Sequence, residues 1–279
     1  HGRRKKFGFS NLSTDLELNL KDNHVNTLVI STTHNLHASQ VVAGLNNKKH
    51  IFVEKPLAIT LDELDAIEMA YNNNTNNNIV MVGFNRRFSP HVVKMKTLLS
   101  SSNEPKNIIM TINAGRIPSN HWLQDKEVGG GRVIGEVCHF LDLMRFLVGE
   151  QVTQHSATMI GKSPTVKVQD DKVMIVLSFA DGSVGVINYL ANGGKAFPKE
   201  RIEIFSNDSV LQLNNFKELK GYSWKGFKKF RTIRQNKGQK ECVAAFVDSI
   251  VSGGMAPIPM HELMEVSRLT IEIAESLRK

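Results

Sequence analysis

Short apolar runs alternate with segments of helical spacing through the first third of the chain. The runs at 26–32, 51–53 and 79–82 predict buried strands, and 37–46 and 60–71 predict amphipathic helices. Strands that alternate with helices of about 10 to 15 residues are typical of parallel βαβ units. Because the crossovers of such units are right-handed, we expect all three strands to lie in one sheet.

The rest of the chain has a different pattern, in which strand-length segments follow one another with few helices between them. Strand candidates lie at 107–114, 152–160, 172–179, 183–190, 200–205 and 209–213. Helical spacing is confined to 131–147, 239–252 and 261–277. We therefore expect a mostly antiparallel sheet backed by helices. We place the domain boundary near Phe88, which divides the chain into 1–87 and 88–279.

Composition is that of a globular protein, since 41% of the 279 residues are hydrophobic and 22% are charged. The sequence contains no apolar run of about 18 residues, the length that a membrane span needs. No secretory signal precedes the first predicted strand. Cys138 and Cys242 are too few for a disulfide framework or a four-thiolate zinc site. These features predict a cytoplasmic protein that holds no metal and spans no membrane.

The formal net charge of +8 comes largely from the stretch 217–240, in which Trp224, Phe227 and Phe230 are interleaved with basic residues. Those basic residues are Lys217, Lys220, Lys225, Lys228, Lys229, Arg231, Arg234, Lys237 and Lys240. Such a mixture can indicate a nucleic-acid surface. We favour a solvated face with the aromatic side chains turned inward, because charged side chains are usually exposed. A third interpretation, intermediate between these two, is that the basic residues bind a small anionic substrate.

The tripeptide Glu54-Lys55-Pro56 follows the second predicted strand at its carboxyl end, where ligands bind in open α/β sheets. The proline fixes its own φ and favours an extended conformation at Lys55. Lys55 is therefore held at the strand end and becomes a candidate for chemistry. The alternative is a surface lysine before a turn.

Polar residues also follow the other two predicted strands. The loop Thr32-Thr33-His34-Asn35-Leu36-His37 precedes a helix, whose N-terminus suits phosphate or ribose contacts. Asn85, Arg86 and Arg87 follow the third strand, and arginine side chains can clamp a carboxylate or a phosphate. The alternatives are an ordinary polar loop that caps a helix and a pair of surface arginines.

A glycine-rich turn, Gly129-Gly130-Gly131, precedes a helix that carries His139 and Asp142. Residues three apart share a helix face, so Asp142 could orient the imidazole. Histidine suits proton transfer because it titrates near neutral pH. The alternative is a core histidine with a satisfied hydrogen bond. Each of these signals is weak alone, but their common placement at strand ends favours one site.

Four segments in this order resemble the Gfo/Idh/MocA oxidoreductases: VISTTHNLHA, FVEKPLA, VGFNRRFSP and GGGRVIGEVCHFLDLMRFLVG. The resemblance covers nearly the whole chain, and GRVIGEVCHF is most similar to a subgroup fused behind a zinc alcohol dehydrogenase-like domain. It implies a Rossmann-type parallel sheet, here incomplete, followed by an α+β domain whose open sheet often forms the oligomer interface. It also implies NAD or NADP as cofactor, and a sugar, nucleotide sugar or cyclitol as the small-molecule substrate of a homo-oligomer.

The resemblance implies roles for particular residues. Lys55 and His139 become the catalytic pair, with His139 as the base and Lys55 bonded to the same substrate oxygen. Trp122 and Asp142 are substrate candidates. The cofactor-binding candidates are Thr32, His34, Asn35, His37, Glu54, Lys55, Pro56, Asn85 and Arg86.

Two departures from the family pattern change these expectations. Many members carry an aspartate four residues before the histidine, where this chain has Gly135, and Glu136 is turned by about 100° from that position. The G-x-G-x-x-G fingerprint is absent from the chain. We therefore expect an N-terminal truncation, with the first strand and the glycine loop upstream of His1, and weak binding of NAD(H) by 1–279 alone. The same two departures favour the alternative function, a non-catalytic binding or assembly module.

Overall fold

The computed structural model describes residue 8 and residues 11–163, 166 and 168–279. A short helix, α1 (Leu16–Leu20), precedes a parallel sheet of three strands in the order β1-β2-β3. The strands are β1 (Thr27–Ile30), β2 (His50–Val53) and β3 (Val80–Val82). Helices α2 (His37–Asn46) and α3 (Leu61–Asn72) form the crossovers. The predicted parallel sheet is confirmed.

The start of α3 shows how the local sequence sets these elements. The Thr60 side chain accepts a hydrogen bond from the Glu63 amide at 3.2 Å. The Glu63 carboxylate in turn accepts one from the Ile59 amide at 2.8 Å. Such reciprocal bonds satisfy amides that the first helical turn leaves without partners. They fix where the chain turns after the β2 loop.

The second sheet has eight strands in the order β11-β10-β9-β8-β4-β7-β6-β5. The strands are β4 (Asn107–Asn113), β5 (Val152–Met159), β6 (Lys172–Phe179), β7 (Val184–Leu190), β8 (Glu200–Ser206), β9 (Ser209–Asn214), β10 (Glu218–Tyr222) and β11 (Lys229–Arg231). Only the central β4–β7 pair is parallel among these described strands. The predicted mostly antiparallel sheet is therefore also confirmed.

Helices cover one face of this sheet. A π-helix, Val133–Val137, continues directly into α5 (Cys138–Val148), which packs on β7. Gly185 permits that contact, because a Cβ there would lie 2.1 Å from the Met144 sulfur. The other helices are α4 (Pro90–Leu99), α6 (Gln239–Ser252) and α7 (Met260–Ser276). Helix α7 contacts α3 and β3 as well as α5 and β5, so it joins both parts of the molecule.

The basic stretch 217–240 forms β10, β11 and the loop that leads to α6, and its two strands were not predicted. Phe227 is buried, while Trp224 and Phe230 pack partly buried against the core. The inward orientation of all three aromatic rings agrees with a solvated basic face. None of the helices in the described part of the chain combines the length and apolar composition that a membrane crossing needs.

Candidate active site

The carboxyl ends of the small parallel sheet are joined to the C-terminal part by bonds from three successive loops. The Asn35 amide donates to the Val128 carbonyl at 3.1 Å, and the Asn85 side-chain amide donates to the Lys237 carbonyl at 2.7 Å. The third bond comes from Lys55. The predicted strand-end residues therefore do meet at one place, which is the seam between the two sheets.

Lys55 reaches across this seam from the end of β2. Its ammonium donates a hydrogen bond of 2.6 Å to the carbonyl oxygen of Gly135, in the π-helix. The side chain is half-buried, and the Lys55–Pro56 peptide bond is cis. An ammonium carries three donors, so the bond to Gly135 fixes its position and leaves donors for a ligand. π-Helical turns are frequent at functional sites.

His139 lies in the first turn of α5 and is buried. Within the part of the chain that the structure describes, its Nδ1 has no hydrogen-bond partner. The alternative of a core histidine with a satisfied hydrogen bond is therefore wrong for this atom. Burial, followed by the positive charges of Arg86, Lys55 and Lys237, lowers the pKa of His139 well below its usual value. The ring is neutral near pH 7 and can accept a proton.

Asp142 does not orient this imidazole. The Arg87 guanidinium donates to both of its carboxylate oxygens, with 3.0 Å between Nε and Oδ2. Burial raises the pKa of Asp142 to about 6 although Arg87 opposes the shift, so the pair is ionised at neutral pH. Asp142 is 1% exposed and is paired with Arg87, and its contact with substrate stays a prediction. The spacing of three does place both residues on the buried side of α5, but Arg87 approaches from the N-terminal part.

Arg86 is not a free clamp either, and it is not a surface residue. Its guanidinium forms a two-pronged ion pair with Glu200 at the start of β8, at 3.1 and 3.2 Å. Lys237 donates to the same carboxylate at 2.5 Å. The buried guanidinium lies over the Phe140 ring, 4.8 Å from its centroid. Glu200 was not predicted as a site residue, because its partners are 114 and 37 residues away along the chain.

The loop after β1 divides into exposed and buried residues. Thr32 is exposed and Asn35 is half-buried, so both remain available to a ligand. His37 has no exposed surface, and its ring nitrogens lie 2.6 Å from the Pro56 carbonyl oxygen and 3.2 Å from that of Thr32. His37 thus contacts the protein's own backbone with both ring nitrogens, and its contact with the cofactor stays a prediction. Its contacts hold the β1 and β2 loops together, and Pro56 is buried beneath them.

His34 connects this loop to the glycine turn and to Trp122. Its Nδ1 lies 2.8 Å from the Gly129 carbonyl oxygen. Its ring packs edge-on against Trp122 with 4.8 Å between centroids. Burial lowers the pKa of His34 to about 4, against a smaller opposing effect of the Gly129 bond. Trp122 itself is 42% exposed and presents an aromatic surface at the seam.

Glu136 is the second residue that sequence reasoning did not assign. Its carboxylate accepts hydrogen bonds from Arg132, at 2.9 Å, and from the Tyr189 hydroxyl. Burial raises the pKa of Glu136, but Arg132 and Tyr189 outweigh it and the net pKa is lowered. The side chain keeps 29% of its surface exposed, whereas its neighbours in the π-helix are buried. It also interacts electrostatically with Lys55 and His34, so Glu136 contributes a partly exposed negative charge to this seam.

The described residues, including those of the seam, contain no cluster of three or more His, Cys, Asp or Glu side chains that could hold a metal ion. Both cysteines are buried and carry no disulfide.

In open parallel α/β sheets, ligands such as dinucleotides bind outside the carboxyl ends of the strands, which is where Lys55 lies and faces the second domain. Comparison with known families agrees. Residues 3–84 match the model described as "Oxidoreductase family, NAD-binding Rossmann fold". Residues 102–211 match the model described as "GFO/IDH/MocA C-terminal domain". Together the two models cover more than half of the chain, and it belongs to the Gfo/Idh/MocA oxidoreductase family.

Curated relatives include an inositol dehydrogenase and a levoglucosan dehydrogenase. The chain is 28% identical over 222 residues to a myo-inositol 2-dehydrogenase of Thermotoga maritima, and this alignment covers 77% of this chain and 64% of the relative. It is 29% identical over 217 residues to a levoglucosan dehydrogenase of Pseudarthrobacter phenanthrenivorans, spanning 67% and 55%. The chain thus spans less than two thirds of the length of these relatives.

Solved structures share the fold over almost the whole chain. A levoglucosan dehydrogenase in complex with NADH and levoglucosan superposes with a TM-score of 0.85 at 24% identity, covering 99% of this chain and 84% of the other. An oxidoreductase domain protein from Kribbella flavida gives a TM-score of 0.85 at 22% identity, covering 100% and 85%. At this level of identity the likeness establishes the fold.

Proposed function

We propose that this protein is an NAD-dependent dehydrogenase of a polyhydroxylated ring, either a sugar or a cyclitol. The observation that carries the proposal is the bond between the Lys55 ammonium and the Gly135 carbonyl, at 2.6 Å. It places a cation at the strand ends directly beside the helical turn that leads to His139. In this proposal the division into 1–87 and 88–279 separates the cofactor side of the site from the substrate side.

The two catalytic candidates have complementary chemistry. Oxidation of a carbinol requires that the hydroxyl proton leave together with the hydride, so a base must lie within hydrogen-bonding reach. His139 supplies it, because its buried ring is neutral near pH 7. Lys55 donates a hydrogen bond to the same oxygen and stabilises the negative charge that develops there. In the reverse direction the protonated His139 returns the proton.

The residues present fit the nicotinamide end of the cofactor. Thr32 and Glu54 are exposed at the ends of adjacent strands, and Asn35 is half-buried between them and the glycine turn. NAD, when bound, accepts the hydride at its nicotinamide ring. The chain's own residues position the substrate and move its proton. The pyrophosphate end is not matched in the same way, because no G-x-G-x-x-G segment occurs in the sequence.

The walls of the seam favour a neutral polyol over an apolar substrate. Glu136 offers a partly exposed carboxylate and Lys55 offers donors, so hydroxyl groups can bond to both. Trp122 adds an exposed aromatic face that suits the apolar face of a ring. The named relatives, which act on myo-inositol and levoglucosan, support this substrate class.

The test is NADH formation, measured by absorbance, with myo-inositol and levoglucosan as separate substrates and with a straight-chain alcohol as the control. The proposal predicts turnover of at least one ring polyol and none of the alcohol. It is contradicted if the full-length protein reduces NAD with neither polyol nor any other member of a cyclitol and sugar panel.

The alternative is a binding or assembly module that keeps the fold without turnover. Gly135 favours it, because the family aspartate is missing at that position. Glu136 is bonded to Arg132 and Tyr189 and does not occupy the direction that Gly135 leaves open. A protein that binds a ring polyol but never reduces NAD would support this alternative.

A further inference from the structure

The environment of His139 contains more cations than the proposed reaction uses. Lys55, Arg86 and Lys237 all act on the ring, and only Lys55 has a place in the proposed chemistry. The other two share one buried carboxylate, that of Glu200, which is 1% exposed. Burying a cation costs free energy unless it is paired. The question is therefore what the pairing of these two cations with Glu200 does for the site.

The backbone of Glu200 is fixed from both sides. Its amide donates to the Asn215 side chain at 2.8 Å, and its carbonyl accepts from the Asn215 amide at 2.7 Å. Ladder pairing with Ile112 of β4 sets its register. The carboxylate is thereby directed to the helix-covered face of the sheet, toward Arg86.

The cations are held at their own ends as well. Asn85 bonds to the Lys237 carbonyl, and Ser89 donates to the Asn236 carbonyl at 2.8 Å. Gly238 allows this close approach, since a Cβ there would lie 2.4 Å from the Asn85 carbonyl oxygen. The two loops that carry Arg86 and Lys237 are thus in direct contact, and the Glu200 carboxylate on the sheet pairs with both cations.

We propose that Glu200 is a positioning residue of this site, which holds Arg86 and Lys237 beside His139 through a buried three-residue ion network. The proposal rests on the proposed function for its catalytic meaning. In this proposal the Glu200 carboxylate determines where the two cations lie. The alternative is that it only neutralises cations that would stay in place without it.

The charged and titratable groups near His139 come from several elements. They are Lys55 after β2, Arg86 in the 3-10 helix Asn85–Phe88, Glu200 on β8, Lys237 before α6, and Cys138 and the Arg87-paired Asp142 from around its own helix. If Glu200 places the cations, Glu200→Gln releases them toward solvent and the titration of His139 moves to higher pH. If it only neutralises them, the same change leaves more net positive charge and moves the titration to lower pH.

The measurement is the protonation of the His139 ring by ¹⁵N NMR of histidine-labelled full chain, with the resonance assigned by His139→Gln. We expect an upward shift in Glu200→Gln, and also in Glu200→Asp, whose shorter side chain keeps the charge but not both contacts. Glu203→Gln is the matched control, because Glu203 lies on the same strand and pairs with Arg201 on the opposite face. It should titrate as the wild type does.

Kinetics give the second readout. With NAD and a turned-over polyol, kcat/KM of Glu200→Gln should fall about 100-fold, the usual cost of misplacing a group by 1 Å. A downward or unchanged His139 titration in Glu200→Gln overturns the proposal. If that variant does not fold, an unchanged titration in Glu200→Asp overturns it. If the His139 titration of Glu200→Gln shifts upward but the wild-type protein transfers no hydride, the positioning role stands and only the proposed function is refuted.

Discussion

Burial decides the charge of both histidines at the seam. His34 and His139 lose hydration in the folded chain, and neighbouring cations add to the effect, so the pKa of each is lowered. For His34 the value falls from 6.5 to about 4. A neutral ring at physiological pH is what a base requires, and at His34 it also preserves the contact with Trp122.

This shift predicts a pH dependence of stability. Between pH 6.5 and 4 the unfolded chain protonates His34 while the folded chain does not, so the free energy of unfolding falls as the pH drops through that window. The loss from this residue between pH 7.5 and pH 5 should be about 2 kcal/mol. Urea unfolding of wild type and His34→Gln at both pH values measures it. The variant should show a smaller loss, and equal losses would contradict the assignment.

At this scale the sequence predicted which residues gather but not how they pair. Lys55 and His139 lie at the seam as predicted, since strand ends and a helix start fix them. Asp142 was predicted to bond to His139 from their helical spacing, but it is paired with Arg87, which is 55 residues away along the chain. Ion pairs between distant segments depend on tertiary packing, and a single sequence does not record that packing.

Among the elements, the π-helix Val133–Val137 connects the two sides of the site. It presents the Gly135 carbonyl to Lys55 and the Glu136 side chain to Tyr189. Gly135 has no room for a larger residue, because a Cβ there would lie 2.6 Å from Leu123 Cδ1 and 2.9 Å from His34 Cε1.

The change Gly135→Ala should therefore force Leu123 and His34 apart. We expect a loss of about 1 to 3 kcal/mol in unfolding free energy, the usual cost of overpacking. Quenching of Trp122 fluorescence by iodide should also increase, because its packing on His34 loosens. Gly161→Ala is the control, since nothing lies within 4 Å of a Cβ at that position. Equal stability of the two variants would show that the turn tolerates a side chain.

Element prediction succeeded where hydrophobic periodicity was strong. β6 and α6 have the predicted bounds because their apolar positions repeat with the strand or helix period. β10 and β11 were missed because both are short and together they carry more charged than apolar residues, which leaves no clear strand period. The π-helix was predicted as ordinary helix, since four of its five residues are buried and show no periodicity that would separate the two helix types.

At the scale of the whole molecule, no helix among the described residues covers the second face of the large sheet. We call this the open face, and its apolar members are Ile109, Met174, Val176, Val184 and Phe205, which are 38–52% exposed. Contiguous exposed apolar surface usually marks an interaction site. We propose that a second copy of the chain covers the open face.

The change Ile109→Lys tests that proposal, because Ile109 lies beside Val186 in the middle of the face. Light scattering should give a multiple of the chain mass for the wild type and a single-chain mass for the variant. Val251→Lys provides the control, since Val251 is 81% exposed on α6 and should keep the wild-type mass. A monomeric wild type would refute the proposed assembly.

In the proposed function, Lys55 and His139 perform the proton and charge chemistry of hydride transfer. Its most direct test is the rate of NADH formation by the full-length protein, compared among wild type, Lys55→Met, His139→Asn and the exposed-site control Lys21→Met. We expect kcat to fall about 100- to 1000-fold in the first two variants, as when one stabilising donor is removed, and to be unchanged in the control. Turnover within a factor of about two of wild type in Lys55→Met or His139→Asn would contradict it.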